Sequence, residues 1–104
     1  VDVVITITTA HRSPWFNMVT QDKSNKVKLV LSNVQIDRRQ ESPHCYDMTT
    51  VAYVARPSFI ENNFCIWDGN VIGVKVPVER SIDIDSSLDF EIANFLFERS
   101  IELN

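Results

Sequence analysis

The spacing of apolar residues changes from a period of two to a helical period near residue 86. Before that point, several segments alternate apolar and polar residues, and Val3, Ile5 and Ile7 share one side of the first of them. Such alternation with β-branched residues is typical of strands. After Ser86 the apolar residues recur at intervals of three and four, which is typical of a helix. The pattern therefore predicts strands within 1–85 and a helix over about 87–103.

These elements predict an α+β fold. We expect six to seven mostly antiparallel strands that form a curved sheet or an open barrel, closed by the one C-terminal helix. The dipeptide Asp68-Gly69 lies between two apolar runs and favours a tight hairpin turn. A chain of 104 residues has the length of one globular domain, so we expect a single domain over 1–104.

The C-terminal helix carries one narrow polar stripe, and the rest of its circumference is largely apolar. Glu91, Glu98 and Glu102 belong to the stripe. Because so much of the helix is apolar, we expect it to dock deeply on the sheet. A strand is the competing interpretation of 88–92, where Leu88 and Phe90 begin an alternation.

The formal net charge of −4 is distributed unevenly along the chain. Residues 1–52 hold six basic and five acidic side chains, whereas residues 53–104 hold four basic and nine acidic ones. An acidic chain argues against general nucleic-acid binding, because it has no excess of basic residues to contact phosphates. The acidic half fits either a protein partner with a basic surface or an ordinary solvated face.

Glycine and cysteine usage excludes several classes of protein. Two glycines are too few for a Gly-rich phosphate-binding loop. Cys45 and Cys65 form neither a paired motif nor a disulfide framework, so we expect a reducing, cytoplasmic location. The apolar runs are too short for a membrane span. Because the first residue is Val1 and not Met, we expect a chain that was processed or trimmed.

Two sets of side chains could carry chemistry. His44 and Cys45 are adjacent and could form a thiol nucleophile with its base, although a small buried cysteine beside a loop histidine is the ordinary alternative. Asp83, Asp85 and Asp89 could form a cation cluster. We favour the interpretation of these aspartates as an exposed strand face followed by acidic residues at a helix N-terminus. The sequence therefore predicts no metal and no cofactor.

Aromatic and basic residues outside the predicted strands are candidates for partner binding. Trp15-Phe16 follows a proline, and Phe59-Ile60 lies in an otherwise polar predicted loop. These rings either anchor an interface or close the end of the barrel. The adjacent Arg38 and Arg39 could hold an anion. The candidate partner-binding residues are Trp15, Phe16, Arg38, Arg39, Phe59, Ile60, Glu91, Glu98 and Glu102.

We therefore predict a non-catalytic protein-binding domain, namely a small acidic inhibitor, an immunity-type protein or an adaptor. One alternative is a structural subunit of a homo-oligomer or larger assembly, held through an edge strand such as Val1 to Ile7. A second alternative is a small thiol-dependent enzyme that uses Cys45 and His44.

Overall fold

A computed structural model describes residues 1–31 and 43–103 of the chain. The elements in these ranges are β1 (Val3–Thr9), β2 (Val19–Gln21), β3 (Val27–Leu29), β4 (Tyr46–Ala55), α1 (Pro57–Asn62), β5 (Val71–Lys75) and α2 (Ser87–Leu103). Two short 3-10 turns flank β5, at Ile66–Asp68 and Val78–Arg80. The chain forms two compact units, which we call the sheet unit (1–9 and 47–104) and the hairpin unit (10–46).

The sheet unit contains a three-stranded sheet with β1 in the middle, in the order β4-β1-β5. Strand β1 runs parallel to β5, with Val3 opposite Val71. On its other side, the Asp2 carbonyl accepts a hydrogen bond of 3.0 Å from the Arg56 backbone N–H. Farther along β1, the Thr6 hydroxyl is hydrogen-bonded to the Thr49 hydroxyl, so β4 runs antiparallel to β1.

The prediction of six to seven mostly antiparallel strands in a curved sheet or open barrel is wrong. The described residues form five strands, in a three-stranded and a two-stranded sheet, with two α-helices and no closed barrel. One cause lies at Asp68-Gly69, where the sequence favours a hairpin. The Asp68 carboxylate accepts hydrogen bonds from the backbone N–H groups of Phe64 and Cys65, at 3.2 and 3.1 Å. This local cap stabilises a 3-10 turn instead of two paired strands.

Two further segments differ from the sequence-based expectation. Residues 81–85 form no strand, and they lead directly into α2. The expected polar loop around Phe59 is instead the short helix α1, whose first residue is Pro57. Proline suits the first helical position because its fixed φ is helical and the N–H that it lacks has no partner there.

The apolar core of the described residues is small. Val3 and Ile5 are the buried hydrophobic residues, with 1% and 5% of their surface exposed. Helix α2 is largely exposed, because its apolar side chains, such as Phe95 at 63%, remain accessible. The expectation that this helix docks deeply on the sheet is therefore wrong for these residues. No helix in the described ranges is long and apolar enough to span a membrane.

The hairpin unit is organised around the antiparallel pair β2–β3. The Asp22 carboxylate closes the intervening turn by accepting hydrogen bonds from Ser24 N–H at 2.9 Å and from Lys26 N–H at 3.0 Å. A hydrogen bond from the Ser24 hydroxyl is the largest of the causes that lower the pKa of Asp22. Asn25 has a positive φ of 69°, a conformation that asparagine tolerates better than most residues.

Candidate functional site

The acidic segment, defined here as residues 83–89, is held in place by the start of α2. Asp89 lies in the first turn, and its carboxylate accepts hydrogen bonds from the backbone N–H groups of Asp85 at 3.0 Å and Ser86 at 3.1 Å. In return, the Ser86 hydroxyl accepts a hydrogen bond of 3.2 Å from the Asp89 N–H. This reciprocal arrangement is a capping box, which fixes the direction of the chain as it enters the helix.

The three carboxylates of the acidic segment have different electrostatic environments. The hydrogen bond from the Asp85 backbone is the largest cause that lowers the pKa of Asp89. The negative charge of Asp83 is the largest cause that raises the pKa of Asp85. The Asp89 carboxylate therefore stabilises the backbone before α2, whereas Asp83 and Asp85 form a pair of like charges.

A contact with β4 positions this like-charge pair relative to the sheet. The Thr50 hydroxyl donates a hydrogen bond of 3.4 Å to an oxygen of Asp83. Both Asp83 and Asp85 are exposed, so their remaining oxygens are accessible to a ligand. A pair of neighbouring carboxylates is an unusual electrostatic environment, and such environments often mark functional sites.

The acidic segment does not form a complete metal site by itself. Across residues 1–31 and 43–103, no group of three or more His, Cys, Asp or Glu side chains could hold a metal ion. However, Mg²⁺ is often bound by only one or two carboxylates, together with water and the phosphates of a substrate. Asp83 and Asp85 supply two carboxylates of this kind.

The predicted partner-binding residues lie in several different elements. Trp15 and Phe16 are half-buried in the hairpin unit, in a turn closed by a 3.2 Å hydrogen bond from Phe16 N–H to the Ser13 carbonyl. Arg38 and Arg39 lie outside the described residues.

The remaining partner-binding candidates lie on the two helices of the sheet unit. Phe59 is half-buried on α1, and Ile60 beside it is 63% exposed. The three glutamates of the predicted polar stripe are all exposed on α2: Glu91, Glu98 and Glu102. Their role in binding a partner stays a prediction.

His44 and Cys45 are not built into a nucleophilic site in this structure. His44 is exposed and Cys45 is half-buried. The Cys45 thiol lies 3.8 Å from the Pro43 carbonyl, to which it donates a weak hydrogen bond. This contact is local to the loop before β4.

Comparison with known proteins changes the functional interpretation. No family model matches the chain. It is 32% identical over 97 residues to the post-translational flagellin modification protein B of Campylobacter coli, which covers 93% of this chain and 40% of that protein. It is 33% identical over 93 residues to the CMP-N,N'-diacetyllegionaminic acid synthase of Campylobacter jejuni subsp. jejuni, which covers 89% of this chain and 39% of that protein. The chain thus spans about two fifths of the length of these relatives.

These similarities overturn the prediction of a non-catalytic inhibitor, immunity-type protein or adaptor. A relative that matches most of the chain is named as a synthase, so the expectation that the protein is not an enzyme is wrong as well. The two alternatives, a structural subunit and a thiol-dependent enzyme, are overturned with it.

One sequence pattern could have predicted the conformation of the acidic segment, because Asp83 and Asp85 are followed by a Ser-x-x-Asp capping pattern. The alternation of Ile82 and Ile84 with the aspartates led to the interpretation of this segment as a strand.

Proposed function

We propose that this chain is part of an enzyme that makes a CMP-linked sugar acid of the legionaminic acid type. The observation that supports the proposal is the 33% identity to a CMP-N,N'-diacetyllegionaminic acid synthase over 89% of the chain. Two cysteines without a disulfide and a nucleotide substrate are both in keeping with a cytoplasmic enzyme.

The chemistry of such an enzyme sets a clear requirement for charge compensation. To make a CMP-linked sugar, a hydroxyl oxygen of the sugar acid must form a bond to the α-phosphorus of cytidine triphosphate. The bond from this phosphorus to the oxygen that bridges to the β-phosphate breaks, pyrophosphate leaves, and the hydroxyl proton passes to solvent or to a base. Phosphoryl transfer relies on positioning and on neutralising the charge of the phosphate oxygens. A divalent cation supplies that neutralisation when it bridges protein carboxylates and phosphates.

Within the described residues, Asp83 and Asp85 are our candidates to hold this cation. Their mutual repulsion, which raises the pKa of Asp85, would be relieved by a positive charge between them. Asp89 would not bind the cation, since its carboxylate accepts hydrogen bonds from the backbone of Asp85 and Ser86. Its role is to position the two preceding aspartates.

The arrangement of the sheet is compatible with nucleotide binding. The parallel strands β1 and β5 end at Thr9 and Lys75, and their carboxyl ends meet at one edge of the sheet. Ligands of open α/β sheets bind in the crevice outside the carboxyl ends of the strands. We therefore expect the nucleotide at this edge.

The direct test is an assay of product formation. The full polypeptide that contains this chain is incubated with cytidine triphosphate, Mg²⁺ and N,N'-diacetyllegionaminic acid, and the products are followed by phosphorus NMR. We expect a new signal from a phosphodiester that joins CMP to the sugar acid. Absence of this product with the intact polypeptide would contradict the proposed function.

Substitutions test the assignment of residues separately. We expect Asp83→Asn and Asp85→Asn each to reduce the rate by more than about 10-fold, the lower end of what disturbing a metal site costs. Asp47→Asn, an exposed aspartate at the start of β4, is the control with the same change of charge. If all three variants keep the full rate, the synthase proposal stands and the assignment of Asp83 and Asp85 fails.

A further inference from the structure

Helix α2 is divided into four faces, two of which are apolar and exposed. Each residue advances about 100° around a helix. The half-buried residues Asp89, Ala93 and Leu96 therefore share one face. The opposite face is the polar stripe, which is formed by Glu91, Asn94, Glu98 and Glu102. Between these two faces lie two apolar flanks, one on each side of the helix.

Both flanks carry large side chains that are exposed to solvent. The first flank consists of Phe90, Phe97 and Ile101, which are 60%, 64% and 58% exposed. The second flank consists of Leu88, Ile92 and Phe95, with Leu88 64% exposed, and the charged Arg99 continues it toward the C-terminal end of the helix. A helix that is apolar around most of its circumference is normally buried. Apart from the polar stripe and Arg99, the exposed surface of α2 is therefore largely apolar.

The sheet also carries large apolar side chains that are exposed to solvent in the described residues. Ile72 and Val74 lie on one face of β5 and are 47% and 50% exposed. Sheets made only of parallel strands are almost always covered on both faces. This sheet is mixed, because β4 runs antiparallel to β1, so the exposed face of β5 is in keeping with a missing layer without requiring one by itself.

The comparison with relatives indicates what supplies this layer. The matched stretches cover 40% and 39% of the two relatives, so about three fifths of each protein has no counterpart in these 104 residues. A second copy of the chain fits less well. A two-fold symmetric contact uses one patch on each subunit, whereas the two flanks of α2 face in nearly opposite directions.

We propose that α2 is an interior helix of a longer polypeptide, and that further elements of the same polypeptide pack against both of its apolar flanks. In this arrangement α2 lies in a layer of helices, with a neighbour on each side and the polar stripe outermost. The proposal concerns packing and does not depend on the activity proposed above, so an inactive but well-packed polypeptide would separate the two.

Hydrogen exchange on the complete translated polypeptide tests this packing without any substitution. We expect the backbone N–H groups of α2 to exchange at least about 100-fold more slowly than those of the turn at 22–26, because buried helices open only with larger unfolding events. The turn is the internal reference, since residues 22–26 are exposed. Equal exchange in the two segments overturns the proposal, and so does a reading frame that holds only these 104 residues.

Two substitutions test the flanks one at a time in the same polypeptide. We expect Phe97→Asp on the first flank and Phe95→Asp on the second each to lower the midpoint of thermal unfolding by at least about 5 °C. Glu102→Gln in the polar stripe is the matched control and is expected to change the midpoint by less than about 1 °C. If only one of the two Phe→Asp variants lowers the midpoint, the proposed packing is wrong. It is also wrong if the protection of α2 from hydrogen exchange rises with protein concentration, because a second copy would then cover the helix.

Discussion

Strand β1 and helix α2 are both rich in apolar residues, but they differ sharply in burial. Val3 in β1 is 1% exposed, whereas Phe97 in α2 is 64% exposed. The strand lies between β4 and β5, while the helix has two flanks without cover in the described residues. The burial of an apolar segment therefore depends on the elements that pack against it and not on its composition alone.

The largest effect on stability is expected at the centre of the sheet. Ile5 is 5% exposed and lies opposite Gly73 on β5. We expect Ile5→Ala to lower the free energy of unfolding by roughly 2–5 kcal/mol, because it removes buried methyl groups and leaves a cavity. The change is measured by urea unfolding. A loss below that of an ordinary surface substitution would contradict the assignment of β1 as the core of this unit.

A smaller loss is expected where the turn before β5 packs against α1. A Cβ atom on Gly69 would lie 2.8 Å from an Asp2 carboxylate oxygen and 2.9 Å from Cζ of Phe59. The same Asp2 carboxylate accepts a 2.7 Å hydrogen bond from the Asn70 N–H, so it cannot move freely. We expect Gly69→Ala to cost about 1–3 kcal/mol by overpacking, as measured by thermal unfolding.

Gly73→Ala is the matched control for this prediction. There the new Cβ would lie 2.9 Å from Cδ1 of Ile7, which is the end of a flexible side chain. We expect the smaller loss at this position because the ends of aliphatic side chains can rotate away. A larger loss at Gly73 than at Gly69 would show that Phe59 does not hold this turn.

The start of α2 gives the next effect in size. The Ser86 hydroxyl accepts a hydrogen bond from the Asp89 N–H, and we expect Ser86→Ala to cost about 1 kcal/mol of stability. Ser87→Ala removes the neighbouring hydroxyl from the first position inside the helix and serves as the control. If both variants lose the same stability, measured by urea unfolding, the capping box does not hold the acidic segment.

The sequence was informative about local structure and less so about the pairing of distant segments. The alternation in 1–9 and the helical spacing after Ser86 correspond to β1 and to α2 (Ser87–Leu103). The parallel pairing of Val3 with Val71 joins residues far apart in the chain, which no local pattern encodes. The hairpin expected at Asp68-Gly69 does not form, because the Asp68 carboxylate accepts hydrogen bonds from the nearby backbone N–H groups of Phe64 and Cys65.

The candidate site was harder to predict than the elements that support it. Asp83 and Asp85 were recognised as a pair, but alternation alone assigned them to a strand. In the structure the hydrogen bonds of Asp89 hold the preceding residues in an irregular conformation. A local side-chain cap thus prevailed over the two-residue periodicity, which is the same physical cause as at Asp68.

The smallest expected effect is electrostatic and concerns the same two aspartates. The negative charge of Asp83 is the largest cause that raises the folded-state pKa of Asp85 above its value of 3.8 in an unfolded chain. A raised pKa favours the folded state below the unfolded pKa, and this contribution is lost as the pH rises through the folded value. Asp83→Asn should therefore raise the urea midpoint slightly at pH 7 and have a smaller effect at pH 3, where the raised pKa of Asp85 favours its uncharged form.

Salt and a control variant separate this repulsion from other effects of the substitution. Because the two carboxylates are exposed, we expect 0.5 M salt to remove most of the gain by screening, given a Debye length of roughly 3–10 Å at such concentrations. Asp47→Asn changes the net charge by the same amount at the beginning of β4 and should not reproduce the gain. An equal gain from Asp47→Asn would mean that overall charge, and not the contact between Asp83 and Asp85, destabilises the folded protein. The electrostatic cost would then be spread over the acidic half of the chain, and the case for a cation at the acidic segment would lose its electrostatic support.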